Sequence, residues 1–160
     1  MANSARVMGL LIASFVWGMG STEVSADEFR HIDQLAVKIQ RTTKRLISEV
    51  RHYRDTPAYG HLLADSREIY RLATHIHDLS HFHGRLAHME SDLRELDRKF
   101  HHLESVFDRV EHDAEFYGDG RIRGNTAHVK RLLNSIADSI HQMRSDIADI
   151  RRRMSLGRGD

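Results

Sequence analysis

The chain has 160 residues, 24 lysines and arginines against 23 aspartates and glutamates, a net charge of +1, 13 histidines and no cysteine. This length allows one domain. The absence of cysteine excludes disulfide frameworks, thiol catalysis and cysteine-ligated zinc or iron–sulfur centres. Because acidic and basic residues balance and are interleaved along the sequence, we expect no general attraction to acidic membranes and no nucleic-acid partner.

The N-terminal segment has the features of an export signal. Arg6 precedes an apolar stretch over residues 7–20, and the polar residues that follow end at Ala26. A transmembrane helix needs about 20 apolar residues, so this stretch favours a cleaved signal peptide over a permanent anchor. We therefore predict a signal peptide over residues 1–26 and a helical domain over residues 27–160. The product is expected to be periplasmic or secreted, without stable membrane insertion after cleavage.

The first part of the predicted domain has the periodicity of an amphipathic helix. The apolar residues that recur every seven positions there are Ile32, Ile39, Leu46 and Tyr53. Thr56 and Pro57 follow and are typical of a helix start, with Thr56 as the N-cap and Pro57 at the first helical position. A second stripe then repeats at the same spacing and contains Leu62, Ile69 and Ile76.

Two longer stripes follow, in which the apolar steps alternate between three and four residues. The third consists of Leu86, Met89, Leu93, Leu96, Phe100, Leu103, Phe107 and Val110. The fourth consists of Val129, Leu133, Ile136, Ile140, Met143, Ile147, Ile150 and Met154. Gly118, Gly120 and Gly124 mark a loop between them, and Asn125 is a suitable cap for the last helix.

These patterns predict an all-α fold, an up-down four-helix bundle with coiled-coil-like heptads. The alternative is three long helices, with one continuous helix running through Gly84. We favour a turn at residues 80–84, because the continuous helix would have no partner long enough to cover half of its apolar stripe. The stripes themselves do not say whether their partners lie in the same chain or in another copy.

The histidines are the residue class that suggests chemistry, and five of the 13 fall between His75 and His88. His77 and His81 lie one helical turn apart on the flank of the apolar stripe, where two imidazoles can chelate a transition metal. With His88 and Asp78 nearby, we predict a Zn, Cu or Ni site formed by His77, His81, His88 and Asp78. His75 is expected on the surface. The alternative is a helix surface that tolerates histidine, and no other cofactor is expected.

Enzyme motifs are absent from the sequence, which has no glycine-rich phosphate loop and no G-x-S-x-G elbow, so we predict a non-enzymatic protein. Two function classes follow. The first is an exported helical bundle that acts through a protein partner or by self-association. The alternative is a periplasmic or secreted protein that binds or senses a divalent transition metal through its helix-borne histidines.

Overall fold

A computed structural model describes residues 26–81, 85–117, 122–123 and 126–156, and all regular structure in these residues is helical. The four long helices are α1 (Ala26–Val50), α2 (Tyr59–His81), α3 (Leu86–Tyr117) and α4 (Thr126–Leu156), with a short 3-10 helix at Arg51–Tyr53. Residues 1–25, which contain nearly all of the predicted signal peptide, lie outside the described residues, as does the predicted cap Asn125.

The helices form the predicted four-helix bundle. Going around the bundle, α1 packs against α2, α2 against α3, α3 against α4, and α4 against α1. Contacts between α2 and α3 pair Asp65 with His102 and His75 with Asp92, so the two helices run in opposite directions. The chain therefore turns between His81 and Leu86, and the alternative of one continuous helix through this region is wrong.

The apolar stripes meet in a single core. Every residue of the first two predicted stripes is fully buried. In the third and fourth stripes all residues are buried except Leu86 and Met154, which lie at the ends. The large side chains of Phe100 and Phe107 occupy the α3 side of this core. Because the stripes are covered within one chain, their burial does not require a second copy.

The connection from α1 to α2 differs in detail from the sequence prediction. The Thr56 hydroxyl donates a hydrogen bond backward to the carbonyl oxygen of Tyr53 at 2.7 Å, and α2 begins at Tyr59, two residues after Pro57. Tyr53, at the end of the 3-10 helix, is fully buried, and its hydroxyl donates to Glu111 Oε1 on α3 at 2.8 Å. The backbone N–H of Arg123 donates to the His52 carbonyl, so the loop before α4 is joined to the same end of the bundle.

Across the described ranges, none of the helices combines enough length with enough apolar character to cross a membrane.

Candidate metal centre

Histidines of one helix face carboxylates of the next at three of the four helix–helix contacts within the described residues. The interhelical pairs are His31 with Asp146 at 2.8 Å, His75 with Asp92 at 2.8 Å, His102 with Asp65 at 2.6 Å, His128 with Glu49 at 4.0 Å, and His77 with Asp33. The α3–α4 contact instead uses arginine and lysine, as in the pair of Arg144 with Asp97. Two carboxylates each meet two histidines, Glu49 with His52 and His128, and Asp92 with His75 and His88. Among the described residues, only the second group brings three ligand atoms within 4.8 Å of one another.

This group is a cluster of His75, His88 and Asp92 between α2 and α3. One ligand atom from each residue lies within 4.8 Å of the other two. Asp92 Oδ2 is 2.8 Å from His75 Nδ1 and 3.9 Å from His88 Nε2. The two imidazole rings meet edge to face, with centroids 5.0 Å apart. Among the residues described, this is the one group of three that has the spacing of a metal site.

The local helical geometry explains how the three residues come together. His88 and Asp92 are four residues apart near the start of α3, so both side chains point from the same face of the helix. His75 lies near the end of α2, which is antiparallel to α3 and joined to it by a short connection. The last turns of α2 therefore lie beside the first turns of α3, and His75 faces the pair.

The spacing of the donors suits a small divalent ion. In a tetrahedral zinc site with bonds of about 2.0–2.1 Å, neighbouring ligand atoms are about 3.3 Å apart. Asp92 and His75 are already closer than this, at 2.8 Å, and His88, at 3.9 Å, needs to approach Asp92 by about 0.6 Å. The nitrogens of the two histidines lie within 4.8 Å, so they need to approach each other by at most about 1.5 Å. His88 has a side chain that is 53% exposed, so a rotation about its side-chain bonds can supply this movement without disturbing the core.

The carboxylate of Asp92 is the buried member of the cluster. Its Oδ2 atom is inaccessible to solvent and accepts no hydrogen bond, although His75 Nδ1 lies 2.8 Å away. Asp97 Oδ1 and Asp146 Oδ2, which also lie beside histidines, are in the same state. A buried carboxylate oxygen without a donor is costly, and such atoms in folded proteins are normally paired with a donor or an ion. An ion between the two imidazoles and Asp92 would satisfy this oxygen.

The guanidinium of Arg71, one turn before His75 on α2, is a positive charge that interacts with the carboxylate of Asp92. It is held by Glu68, whose two carboxylate oxygens lie 2.7 and 3.0 Å from the guanidinium nitrogens. This hydrogen-bonded pair raises the pKa of Arg71, with a smaller contribution from the Asp92 charge, and lowers the pKa of Glu68. Because Glu68 balances this charge, Arg71 opposes cation binding at Asp92 less than an unpaired arginine would.

The structure does not bring together the four metal ligands predicted from sequence. Of the four, only His88 belongs to the cluster. His77 contacts Asp33 on α1 through its Nδ1 atom, and the rings of His77 and His81 are 6.2 Å apart. Asp78 is exposed on the outside of α2.

Sequence reasoning missed His75 and Asp92. The four-residue spacing of His88 and Asp92 is visible in the sequence, as a histidine and a carboxylate one turn apart, but this spacing is common on helix surfaces. His75 was expected on the surface, whereas its side chain is 41% exposed and is turned toward α3. Only the antiparallel packing of α2 and α3 identifies it as a third ligand.

Comparisons with protein-family models, with curated proteins and with solved structures find no match to this chain. The function must therefore be argued from the geometry of the site and from the chemistry of its side chains.

Proposed function

We propose that the protein binds one divalent transition-metal ion between α2 and α3 through His75, His88 and Asp92. The observation that carries this proposal is the convergence of three ligand atoms from two helices within 4.8 Å of one another. The buried Oδ2 atom of Asp92, which lies beside both imidazoles, supports it. The proposal keeps the metal-binding class predicted from sequence and changes its ligands. If residues 1–26 act as a signal peptide, binding takes place in the periplasm or outside the cell.

The donor set favours particular metals. Imidazole nitrogens suit Zn²⁺, Cu²⁺ and Ni²⁺, whereas Mg²⁺ and Ca²⁺ prefer sites made of oxygen atoms. The chain supplies no thiolate, so the soft Cu⁺ ion is a poor match for this site. Zn²⁺ is the first ion to test, because it accepts two histidines and one carboxylate at three of its four positions.

Three protein ligands leave at least one coordination position to solvent. Structural zinc sites usually use four protein ligands, which hold the ion permanently. Here the imidazoles of both histidines are about half exposed, so water reaches the site. We therefore expect an ion that binds reversibly and exchanges with the medium, as a metal-binding or metal-sensing role requires.

Calorimetric titration of the full chain with Zn²⁺, Cu²⁺ and Ni²⁺ near neutral pH tests the proposal. We expect saturable binding of about one ion per chain for at least one of these metals. The double variant His75→Ala/His88→Ala should lose at least about tenfold in affinity, because ligand substitutions remove direct metal bonds. Asp92→Asn should also weaken binding, since the amide carries no negative charge.

The matched control is the double variant His77→Ala/His81→Ala, which removes the same number of imidazoles from the same helix region. It should leave the affinity within about twofold if the cluster is the site. Loss of binding in this variant, with retention in His75→Ala/His88→Ala, would instead favour the ligands predicted from sequence. Weak binding spread over many sites in the wild-type protein would contradict both assignments.

The other predicted class is action through a protein partner or by self-association, and it rests on the regular heptads and on the missing catalytic motifs. The bundle buries its apolar stripes within one chain, so their burial does not by itself favour a second copy. Light scattering of the metal-free protein tests this class directly. A stable oligomer without metal would support it.

A further inference from the structure

The outer face of α1 carries an unusual concentration of positive charge. The exposed basic residues that follow one another there and into the 3-10 turn are Lys38, Arg41, Lys44, Arg45, Arg51 and Arg54. Between Gln34 and Ser48 the sequence contains four basic residues and no acidic one. We call these six residues the basic patch.

The structure gives the patch no internal neutralisation. Among the described residues, none of the six forms an ion pair, whereas many basic residues elsewhere do. On α4, for example, Arg144 pairs with Asp97, Arg151 with Glu90 and Arg153 with Glu28. The balanced net charge of the whole chain therefore hides a local excess on one helix.

The carboxylates nearest to the patch are already occupied. Asp33 contacts His77 and Ser80 of α2, and Glu49 lies between His52 and His128. Asp55 pairs with Arg123 at 2.7 Å. Each of these carboxylates already faces a partner, which weakens its attraction for the patch. Asp33 nevertheless lines the same groove as Lys38, Arg41 and Arg45 and lowers the local charge excess there.

The shape of the patch indicates what it fits. At 100° per residue, the basic residues from Lys38 to Arg51 lie within about 140° of arc and extend about 20 Å along the helix axis. Within this arc, Lys38, Arg41 and Arg45 line a shallow groove together with Gln34, Val37 and Thr42. Because lysine and arginine side chains are long and flexible, their charged ends can reach a common plane from this arc, so one anionic surface can contact them together.

We propose that the basic patch of α1 binds the surface of an anionic phospholipid bilayer by electrostatic attraction, without insertion. Lysine and arginine clusters attract acidic headgroups, and the attraction decays within about 10 Å at 0.1 M salt. The face carries no exposed aromatic or large apolar side chain, so it has nothing to bury in the acyl chains and nothing on which nucleic-acid bases could stack. The patch lies on α1, outside the metal cluster of α2 and α3, and the two proposals stand independently.

Vesicle binding of the full chain tests this inference. The protein is sedimented at low salt with vesicles of phosphatidylcholine alone or with about 30 mol% phosphatidylglycerol, an anionic lipid. We expect at least about tenfold stronger binding to the anionic vesicles, and loss of this preference when NaCl is raised to about 0.5 M. Any insertion of the apolar N-terminal segment would contribute to both vesicle types and would resist salt.

Two triple variants with the same change in net charge locate the binding surface. The patch variant carries Lys38→Gln, Arg41→Gln and Arg45→Gln, and because each basic residue near the surface contributes about fivefold, it should lose about 100-fold in binding to anionic vesicles. The control carries Arg67→Gln, Arg94→Gln and Arg109→Gln, which replace three exposed arginines on other helices. Within the part of the chain that the structure describes, these arginines form no ion pair. The control should stay within about threefold of the wild-type protein.

Several results would overturn the inference. If the wild-type protein shows no preference for anionic vesicles, the patch is not a membrane-binding surface. Equal losses in the two triple variants would assign the effect to net charge alone. Binding to heparin or duplex DNA at low salt, without binding to vesicles, would assign the patch to a linear polyanion. Circular dichroism of both variants confirms that each one folds, as expected for substitutions at exposed positions.

Discussion

Replacing Tyr53 by phenylalanine tests the hydrogen bond that links the 3-10 turn to α3 at one end of the bundle. The ring of Tyr53 packs edge-on against Phe107 with centroids 5.1 Å apart, and its hydroxyl donates to Glu111 Oε1 at 2.8 Å. The other oxygen of Glu111 lies 3.1 Å from Lys130 Nζ on α4. Tyr53→Phe keeps the ring and its packing and removes only the hydroxyl, so the change isolates this bond.

The expected loss of stability depends on the charge of the group that accepts the hydrogen bond. A hydrogen bond to a charged group contributes about 1.5–3 kcal/mol to the free energy of unfolding. Glu111 keeps its ion pair with Lys130 and is 12% exposed, so the substitution does not leave it buried without a partner. We therefore expect the lower end of this range, about 1.5 kcal/mol, which corresponds to a fall in melting temperature of about 5 °C for a domain of this size.

The pH dependence provides a second measure of the same bond. Burial, followed by the hydrogen bond and negative charge of Glu111, raises the pKa of Tyr53 well above its ordinary value. Because the folded pKa is higher than the unfolded one, the contribution is fully present below about pH 10 and is lost as the pH rises above that value. Between about pH 9.5 and 11, the stability of the wild-type protein should therefore fall more steeply than that of Tyr53→Phe.

Urea unfolding followed by circular dichroism measures both effects. Tyr70→Phe is the matched control, because Tyr70 is partly exposed and its substitution should change the free energy of unfolding by less than about 0.5 kcal/mol. The reasoning fails if Tyr53→Phe and the wild-type protein differ by less than about 0.3 kcal/mol near neutral pH, or if their stabilities fall in parallel above pH 9.5.

Three further predictions follow from the site and the core. Zn²⁺ affinity should fall at least about tenfold between pH 7.5 and 5.5, because both imidazoles must lose a proton to bind; calorimetry at the two pH values checks this, and equal affinities would argue against histidine ligands. Zn²⁺ at about 100 times its dissociation constant should stabilise the fold by about 2.7 kcal/mol, seen as a higher melting temperature that His88→Ala abolishes; a rise that persists in this variant would place the ion elsewhere. Phe100→Ala should lower the free energy of unfolding, measured in urea, by about 3–5 kcal/mol, because Phe100 is buried. Phe116 is 75% exposed, so Phe116→Ala should lower it by less than about 0.5 kcal/mol. Similar losses in the two variants would contradict the assigned core.

The helices and the buried set were predictable from the sequence because helical periodicity is a local property. Residues three, four and seven positions apart share a face wherever the backbone is helical, and the sequence alternates at those spacings through four segments. The stripe from Met89 to Val110 is buried along its whole length, as its spacing predicts. The start of α2 was less predictable, because Thr56 uses its hydroxyl to close the preceding turn instead of capping the next helix.

The candidate site was only partly predictable. The spacing of His88 and Asp92 can be read along α3, but their meeting with His75 depends on the position of α2 beside α3. The ion pairs were also only partly predictable. The run of basic residues after Gln34 is visible in the sequence, but the sequence does not show that Arg144 pairs with Asp97 while Arg41 forms no ion pair with the described residues.

The sequence by itself therefore determined the helices, their apolar faces and the histidine-rich composition of the chain. The tertiary structure alone decided which histidines converge and which cations stay unpaired. The physical reason is that contacts between helices depend on their relative rotation and register, and these are set by the packing of the whole core and the lengths of the connections.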